Sequence, residues 1–543
     1  MKFVATLLLS LVMAATGAGT TGGAYEDPYM KHKRALILEL APAPGPLRVN
    51  AENPRYFSDA RGRAVYLTGS HTWSSLQDNG FQDPPPRFDF GGYLDFLVAH
   101  NHNFFRLWMW EQAKWGTFTN KDYWVEPMPF KRTGPGLALD GKPKFDLMQF
   151  NQAYFDRLRT RVVEAWRRGI YVSVMLFNGW SVESKNMLGN PWLGHPFNKD
   201  NNVNGIDGDP DGDQQGKEVH TLLVPPITEI QNAYVRKVIN SVNDLDNVLY
   251  EISNESHSES QDWQVHLIRH IKEYESTKPK QHPVGMTVEY PGGDNSELFV
   301  SPADWVSPNR PEQSRSMWRK YFDLFAAWFS GKGSDVVDYK LDPPPGEGTK
   351  VVISDTDHLW GIGGDRVWVW KTFTRGLNPA FMDGYDGKAI GLGPLIDWQF
   401  SDPTWVSLRR HLGYTRRYAR RIDLVAMRPR RDLASTGYCL AKPTSKDAEY
   451  LVFLPTGGTV TVDLSNTESA LAVEWFNPSN GENVNGGTVH GGARRVFIAP
   501  FAGTGDAVLY LYSLAKNSSA PTIRFESLAF QPDKPATRWA LLL

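Results

Sequence analysis

A single cysteine, Cys439, in 543 residues excludes an internal disulfide, so burial has to hold the fold together. Charge of one sign is lacking too: 58 basic and 60 acidic side chains leave a formal charge of -2. That balance excludes a field that would gather nucleic acid or hold the chain to an anionic membrane, and it suits an uncharged substrate. Beyond the N-terminus no apolar run approaches the roughly 20 residues of a membrane helix. There is no zinc-type His-Glu-x-x-His run, and Gly361-Ile-Gly-Gly364 lacks the lysine and spacing of a phosphate-cradling loop. No organic cofactor is expected.

What the chain does have begins with Lys2, the apolar run Phe3 to Ala15 and the small residues Thr16 to Ala24. This is the layout of a secretory signal, which predicts a secreted or periplasmic protein whose mature chain starts near Ala18 to Tyr25. Aromatic residues make up 13% of the chain, with 19 Trp, and flat rings with a polar edge serve sugar faces as well as protein cores. The expected organisation is a signal over 1–24, a lead-in with a hairpin over 25–63, a barrel over 64–423, a β-sandwich over 424–514 and a tail over 515–543.

The barrel expectation rests on alternation of short apolar runs with helical periodicity. Strands are predicted at 64–69, 103–109, 171–177, 248–253, 283–288, 304–307, 350–354 and 380–382. Helices are predicted at 92–100, 151–168, 227–242, 263–277, 316–329, 365–374 and 404–421, and the fifth-to-sixth connection is too short for a full one. Eight such units, with long insertions after the second and third strands, favour a closed (β/α)8 barrel over an open doubly wound sheet. The basic run Arg416 to Arg421 reads as a solvated helix face. After Ile422, alternating runs at 451–454, 459–463, 472–475, 495–499 and 507–511, separated by Gly, Asn and Pro, predict a small all-β sandwich.

In a (β/α)8 barrel the loops after the strands build the active site, so polar residues just past each apolar run are the candidates. Tyr250-Glu-Ile-Ser-Asn-Glu-Ser256 places Asn254 and Glu255 at the end of the fourth strand. Cleaving a glycosidic bond takes one carboxyl to protonate the leaving oxygen and a second to attack carbon or activate water. Strand seven ends Val351-Val-Ile-Ser-Asp-Thr-Asp-His358, which makes Asp355 and Asp357 candidates for the second group, with Glu289 after strand five as a rival. Other strand-end residues supply hydrogen-bonding and stacking groups: His71 and Trp73, Trp108 and Glu111, Asn178 and Trp180, Tyr290, Asn309, His358 and Trp360, and Asp383.

The Asn-Glu pair ending strand four resembles the clan A glycoside hydrolases. The opening Pro54-Arg-Tyr-Phe-Ser-Asp with Gly62-Arg-Ala-Val-Tyr-Leu-Thr-Gly69, and the later Glu474-Trp-Phe-Asn-Pro-Ser-Asn-Gly-Glu482, resemble the apiosidase-like branch that carries a C-terminal β domain named for collagen binding. The resemblance spans most of residues 47 to 512. It implies Glu255 as acid/base, Asn254 as a sugar ligand and Arg106 as support for the nucleophile. The clan's strand-seven glutamate is replaced here by the shorter Asp355, which leaves retention and inversion both open.

A separate motif lies in the insertion after strand three. Asp207, Asp209, Asp211, Asp213 and Glu218, with Gly212 at the turn, fit the twelve-residue oxygen-ligand spacing of a calcium loop, though without helical flanks. An ion there would order a long loop; a solvated acidic loop is the alternative. Together these residues predict a glycoside hydrolase acting on a polysaccharide or its side chains. The rivals are a barrel that binds glycans without turnover and an adhesion or matrix-binding protein working through the sandwich.

Overall fold

The computed structural model describes residues 41–291, 293–309, 339–344, 348–361, 363–385, 402–501 and 505–514. The expected signal segment, the expected helix 316–329 and the tail 515–543 lie outside them. The central sheet has eight parallel strands: β1 (Gly69–His71), β2 (Phe104–Leu107), β3 (Tyr171–Asn178), β4 (Val248–Asn254), β5 (Val284–Thr287), β6 (Trp305–Ser307), β7 (Val351–Asp355) and β8 (Asn378–Met382). Their order, β1-β8-β7-β6-β5-β4-β3-β2, is that of a (β/α)8 barrel. The two ends of the sheet meet where the Asn103 N–H donates to the Thr68 carbonyl and the Thr68 N–H to Asn103 Oδ1, both at 3.0 Å. β3 and β4 are buried along their whole length, which is why they read as unbroken apolar runs.

The helices are α1 (Phe90–Ala99), α2 (Gln152–Arg167), α3 (Pro225–Val242), α4 (Gln261–Ser276), α5 (Asn295–Val300), α6 (Asp357–Trp360), α7 (Arg366–Thr374) and α8 (Pro403–Ala419). Asp89, Asn151 and Asp402 cap α1, α2 and α8 by accepting a first-turn N–H, and proline opens α3 and α8. The short β5–β6 connection carries only the six-residue α5.

Four expectations change. Residues 64–65 belong to a three-stranded antiparallel sheet with Arg48–Val49 and Phe57–Ser58, because Val65 pairs with Phe57; the barrel strand starts only at Gly69. Ala43, Leu47 and Phe57 then pack against Phe104, Tyr171, Leu249 and Val351 at the N-terminal ends of the barrel strands, plugging that end. The insertion after β2 contributes to two antiparallel sheets, Lys114–Gly116 and Thr119–Glu126 joined by Asp78–Gly80 from the loop after β1, and Phe130–Leu137 with Pro143–Phe150. Much of the second hairpin is exposed, so it lacks the apolar alternation that would reveal it.

The C-terminal sheet has six strands, β9 (Arg428–Pro429), β10 (Cys439–Lys442), β11 (Glu449–Leu454), β16 (Ala507–Ser513), β13 (Ala470–Asn477) and β14 (Glu482–His490) in spatial order, beside the pair β12 (Thr459–Asp463) and β15 (Arg494–Ile498). β9, β10 and β14 were not anticipated; β14 is polar and exposed along nearly its whole length.

The basic run on α8 is not a solvated face. Arg416 donates to the Asn101 and His102 carbonyls, and Arg421 forms a two-pronged pair with Glu474 at 2.7 and 2.9 Å. Trp370, Phe373 and Tyr418 from α7 and α8 pack there against Leu451, Phe453, Phe476 and Val508 of the sandwich. Among the described residues no helix is long and apolar enough to cross a membrane.

Candidate active site

At the C-terminal ends of the barrel strands, opposite the plug, one guanidinium gathers three acidic side chains. Arg106 on β2 pairs with Glu251 on β4 through both Nε (3.0 Å) and Nη2. Its Nη1 reaches Asp355 Oδ2 at 3.1 Å and Asp357 Oδ2 at 3.2 Å, and Nη2 also donates to Asn254 Oδ1. β3, between β2 and β4, presents only the small Ser173 opposite Arg106, leaving room for the fork to cross to Glu251. His71 Nε2 closes the cluster at 2.8 Å from Asp355. Burial works against a charge on Asp355, yet His71 and Arg106 outweigh it and hold that carboxyl well below the usual range. Both of its oxygens are engaged, one also accepting the Asp357 N–H at 3.0 Å. Asp357, at the start of α6, remains 8% exposed. Burial, then the charge of Glu255, raises its carboxyl well above the ordinary aspartate value.

Glu255 follows β4 with φ +45°, a left-handed conformation that a non-glycine residue adopts only when its surroundings impose it. Gly179, after β3, is part of those surroundings: a Cβ on it would lie 2.2 Å from the Glu255 carbonyl oxygen. Lys185 donates to the Tyr290 carbonyl at 3.1 Å and lies 3.4 Å from the Glu255 carbonyl oxygen. Trp180 Nε1 donates to Glu255 Oε2 at 2.7 Å. Burial pushes the Glu255 carboxyl up to about 7, against the opposing pull of Trp180, Lys185 and Arg106. Gly179→Ala is expected to displace the Glu255 backbone and lower stability by roughly 1–3 kcal/mol, the usual cost of overpacking a filled position. Thermal denaturation of the purified variant checks it.

The other expected residues divide. Asn254 accepts from Arg106 and from His358 Nε2 (3.1 Å), which leaves its buried Nδ2 without a protein partner. His71 Nδ1, Trp108 Nε1 and both side-chain polar atoms of Asn309 are likewise buried and unpartnered. Trp108 stacks on His71, and Trp73 packs between Trp108 and Phe118. Trp180 stacks with both Phe118 and Tyr290, at ring-centroid distances of 4.8 and 5.4 Å.

Five of the expected residues are engaged elsewhere. Asn178 has both side-chain groups committed to backbone, at Met109 and Trp180, and Trp360 packs edge-on to Trp368 beneath Lys340. Glu289 is buried and pushed up to about 7, but the charges acting on it are those of Glu297 and Asp294, not the Arg106 cluster. Asp383 is tied to Arg409, and Glu111 to His195 and His220, which hold it near 2 against the effect of burial.

Glu251, Lys185 and Phe118 escaped the sequence reading. Glu251 had a signal: it and Arg106 are opposite charges inside runs otherwise apolar, and such residues must pair. In the acidic loop, Asp209, Asp211 and Glu218 converge, whereas Asp207 is drawn to Lys199 at 3.0 Å and Asp213 to the Gln215 N–H at 2.7 Å.

Known proteins can now be set beside this geometry. Residues 115–291 match the family described as "Domain of unknown function (DUF6298)", and residues 432–512 match "Putative collagen-binding domain of a collagenase". No curated protein matches in sequence. Among solved structures, one titled "Glycoside hydrolase" is 12% identical with a TM-score of 0.54, covering 87% of this chain and 97% of its own. A glycoside hydrolase family 5 protein from Bacteroides vulgatus is 13% identical with a TM-score of 0.53, over 87% and 94%. The chain shares the fold of these glycoside hydrolases. The second match extends the C-terminal resemblance across most of the sandwich strands.

Proposed function

We propose that this chain is an exported O-glycoside hydrolase that cleaves a polysaccharide or its side chains with two carboxyl groups. The observation that carries the reading is the arrangement at the barrel mouth: Glu255 is buried with one oxygen 2.7 Å from Trp180 Nε1, while Asp355 is held by Arg106 and His71, surroundings that raise the first carboxyl and lower the second. Glycosidic cleavage needs one protonated and one ionised carboxyl, and opposed environments are how a protein provides both at one pH. Glu255 serves as acid/base, its proton directed by Trp180. Asp355, oriented by Arg106 and His71, serves as the second carboxyl, which attacks the anomeric carbon or activates the water that does, and Asp357 lies beside it on Arg106. The unpartnered Nδ2 of Asn254 is available to a hydroxyl. The finer resemblance, to the apiosidase-like branch, is supported by the sequence motifs near residues 54–69 and 474–482. The matched family's name is the only support for collagen binding, and no residue described above speaks for it.

The test is hydrolysis of a broad plant and microbial glycan panel, with the anomeric form of the first product followed by NMR. Release of reducing sugar that is lost in Glu255→Gln supports the reading. The engagement of both Asp355 oxygens favours a second reading, a barrel that binds glycans without turnover. Retained glycan binding with no product from any substrate would establish that reading instead.

A further inference from the structure

The long loop between β3 and α3 holds a cluster that the barrel-mouth chemistry does not use. One carboxylate oxygen from each of Asp209, Asp211 and Glu218 lies within 4.8 Å of the others. Asp209 is only 8% exposed, and its Oδ1 is buried without a hydrogen-bond partner; Glu218 Oε2 is in the same position. Two such oxygens beside a third carboxylate are costly unless protons or a cation neutralise them. The three residues occupy the third, fifth and twelfth positions of the calcium-loop spacing, so sequence pattern and spatial convergence agree independently.

We propose that Asp209, Asp211 and Glu218 bind one calcium ion that braces this loop. All three offer hard oxygen ligands, with no nitrogen or sulfur that would favour zinc. A loose, partly exposed set of carboxylates suits calcium's tolerant coordination better than the strict octahedron of magnesium. The braced loop reaches the barrel mouth. Gln215 Oε1 accepts from Ser184 N and Oγ, at 3.0 and 3.1 Å, and the Lys217 carbonyl accepts from His257 Nε2 at 2.8 Å. Ser184 precedes Lys185, which contacts the Glu255 and Tyr290 carbonyls. Ion binding stands independently of the glycosidase reading; only this link to Glu255 rests on it.

The experiment uses the full chain stripped with EDTA, titrated with calcium chloride by calorimetry and melted with and without the ion. Saturable binding of one calcium with a Kd below about 1 mM, and a rise in Tm of roughly 2–5 °C, are expected. Asp211→Asn, at an exposed position that leaves packing intact, should weaken binding by at least about 10-fold. Neither readout needs turnover, so a chain that cleaves no glycan still tests the site. Absence of saturable binding, an equal response to magnesium, or unchanged affinity in Asp211→Asn overturns the proposal.

Discussion

Glu255→Gln is expected to cost about 10²–10⁴-fold in turnover, the usual contribution of a positioned proton donor, while making the folded protein more stable at neutral and alkaline pH. Both effects have one origin. The Glu255 carboxyl titrates near 7 in the fold against an ordinary 4.5, so the native state holds its proton more tightly than the unfolded chain does. The contribution of Glu255 to stability therefore falls as pH rises from about 4.5 to about 7, and the full penalty applies above that. Glutamine keeps the shape without the charge, and at pH 8 the variant should gain about 1–3 kcal/mol. At pH 4, where both states hold the proton, the gain should vanish. Urea unfolding at the two pH values measures the difference. In the wild type, kcat/KM should fall above about pH 7, as the acid loses its proton. Full activity in Glu255→Gln would place the chemistry elsewhere.

Arg106→Ala should act in the opposite direction on stability. The guanidinium is 1% exposed and is shared by Glu251, Asp355 and Asp357, so removing it strands buried carboxylates with no cation between them. Breaking a buried pair by deleting one partner typically costs about 3–5 kcal/mol, and here the loss is expected at or above that range. The sign with pH follows from Asp355. Its folded value is depressed, so it contributes stability above its ordinary 3.8 and loses that contribution as pH falls toward the folded value. The deficit of Arg106→Ala should accordingly be largest at neutral pH and shrink in acid. Arg106→Lys retains the charge but not the two-pronged geometry, and should fall between. Denaturation midpoints across pH test the series; equal midpoints for wild type and Arg106→Ala at pH 7 would show that the carboxylates are solvated.

The two variants mark what was legible in the chain. Strand four could be read as ending in Asn254-Glu255 and strand seven in Asp355, because apolar runs stop there and barrel topology sends the next side chain to the mouth. The Arg106–Asp355 contact is the one that the clan A resemblance implied. Contacts that depend on inward parity and lateral reach were not legible. Glu251 sits inside a run read as structural, and His71 reaches Asp355 past an intervening strand. Surface elements failed for the converse reason: β14 and the hairpin after β2 lack a buried face to impose a period. Arg416 and Arg421 looked solvated because their partners are distant in sequence, the Asn101 and His102 carbonyls for the first and Glu474 of the sandwich for the second.

Those same arginines, with Trp370, Phe373 and Tyr418 beneath them, leave barrel and sandwich without a clean seam. Cutting the chain near residue 424 would bare an oily aromatic patch on each fragment, and a fragment of that kind clings to many surfaces whatever its native task. Whatever the sandwich holds would instead keep a fixed bearing to the barrel, as a workpiece in a jig.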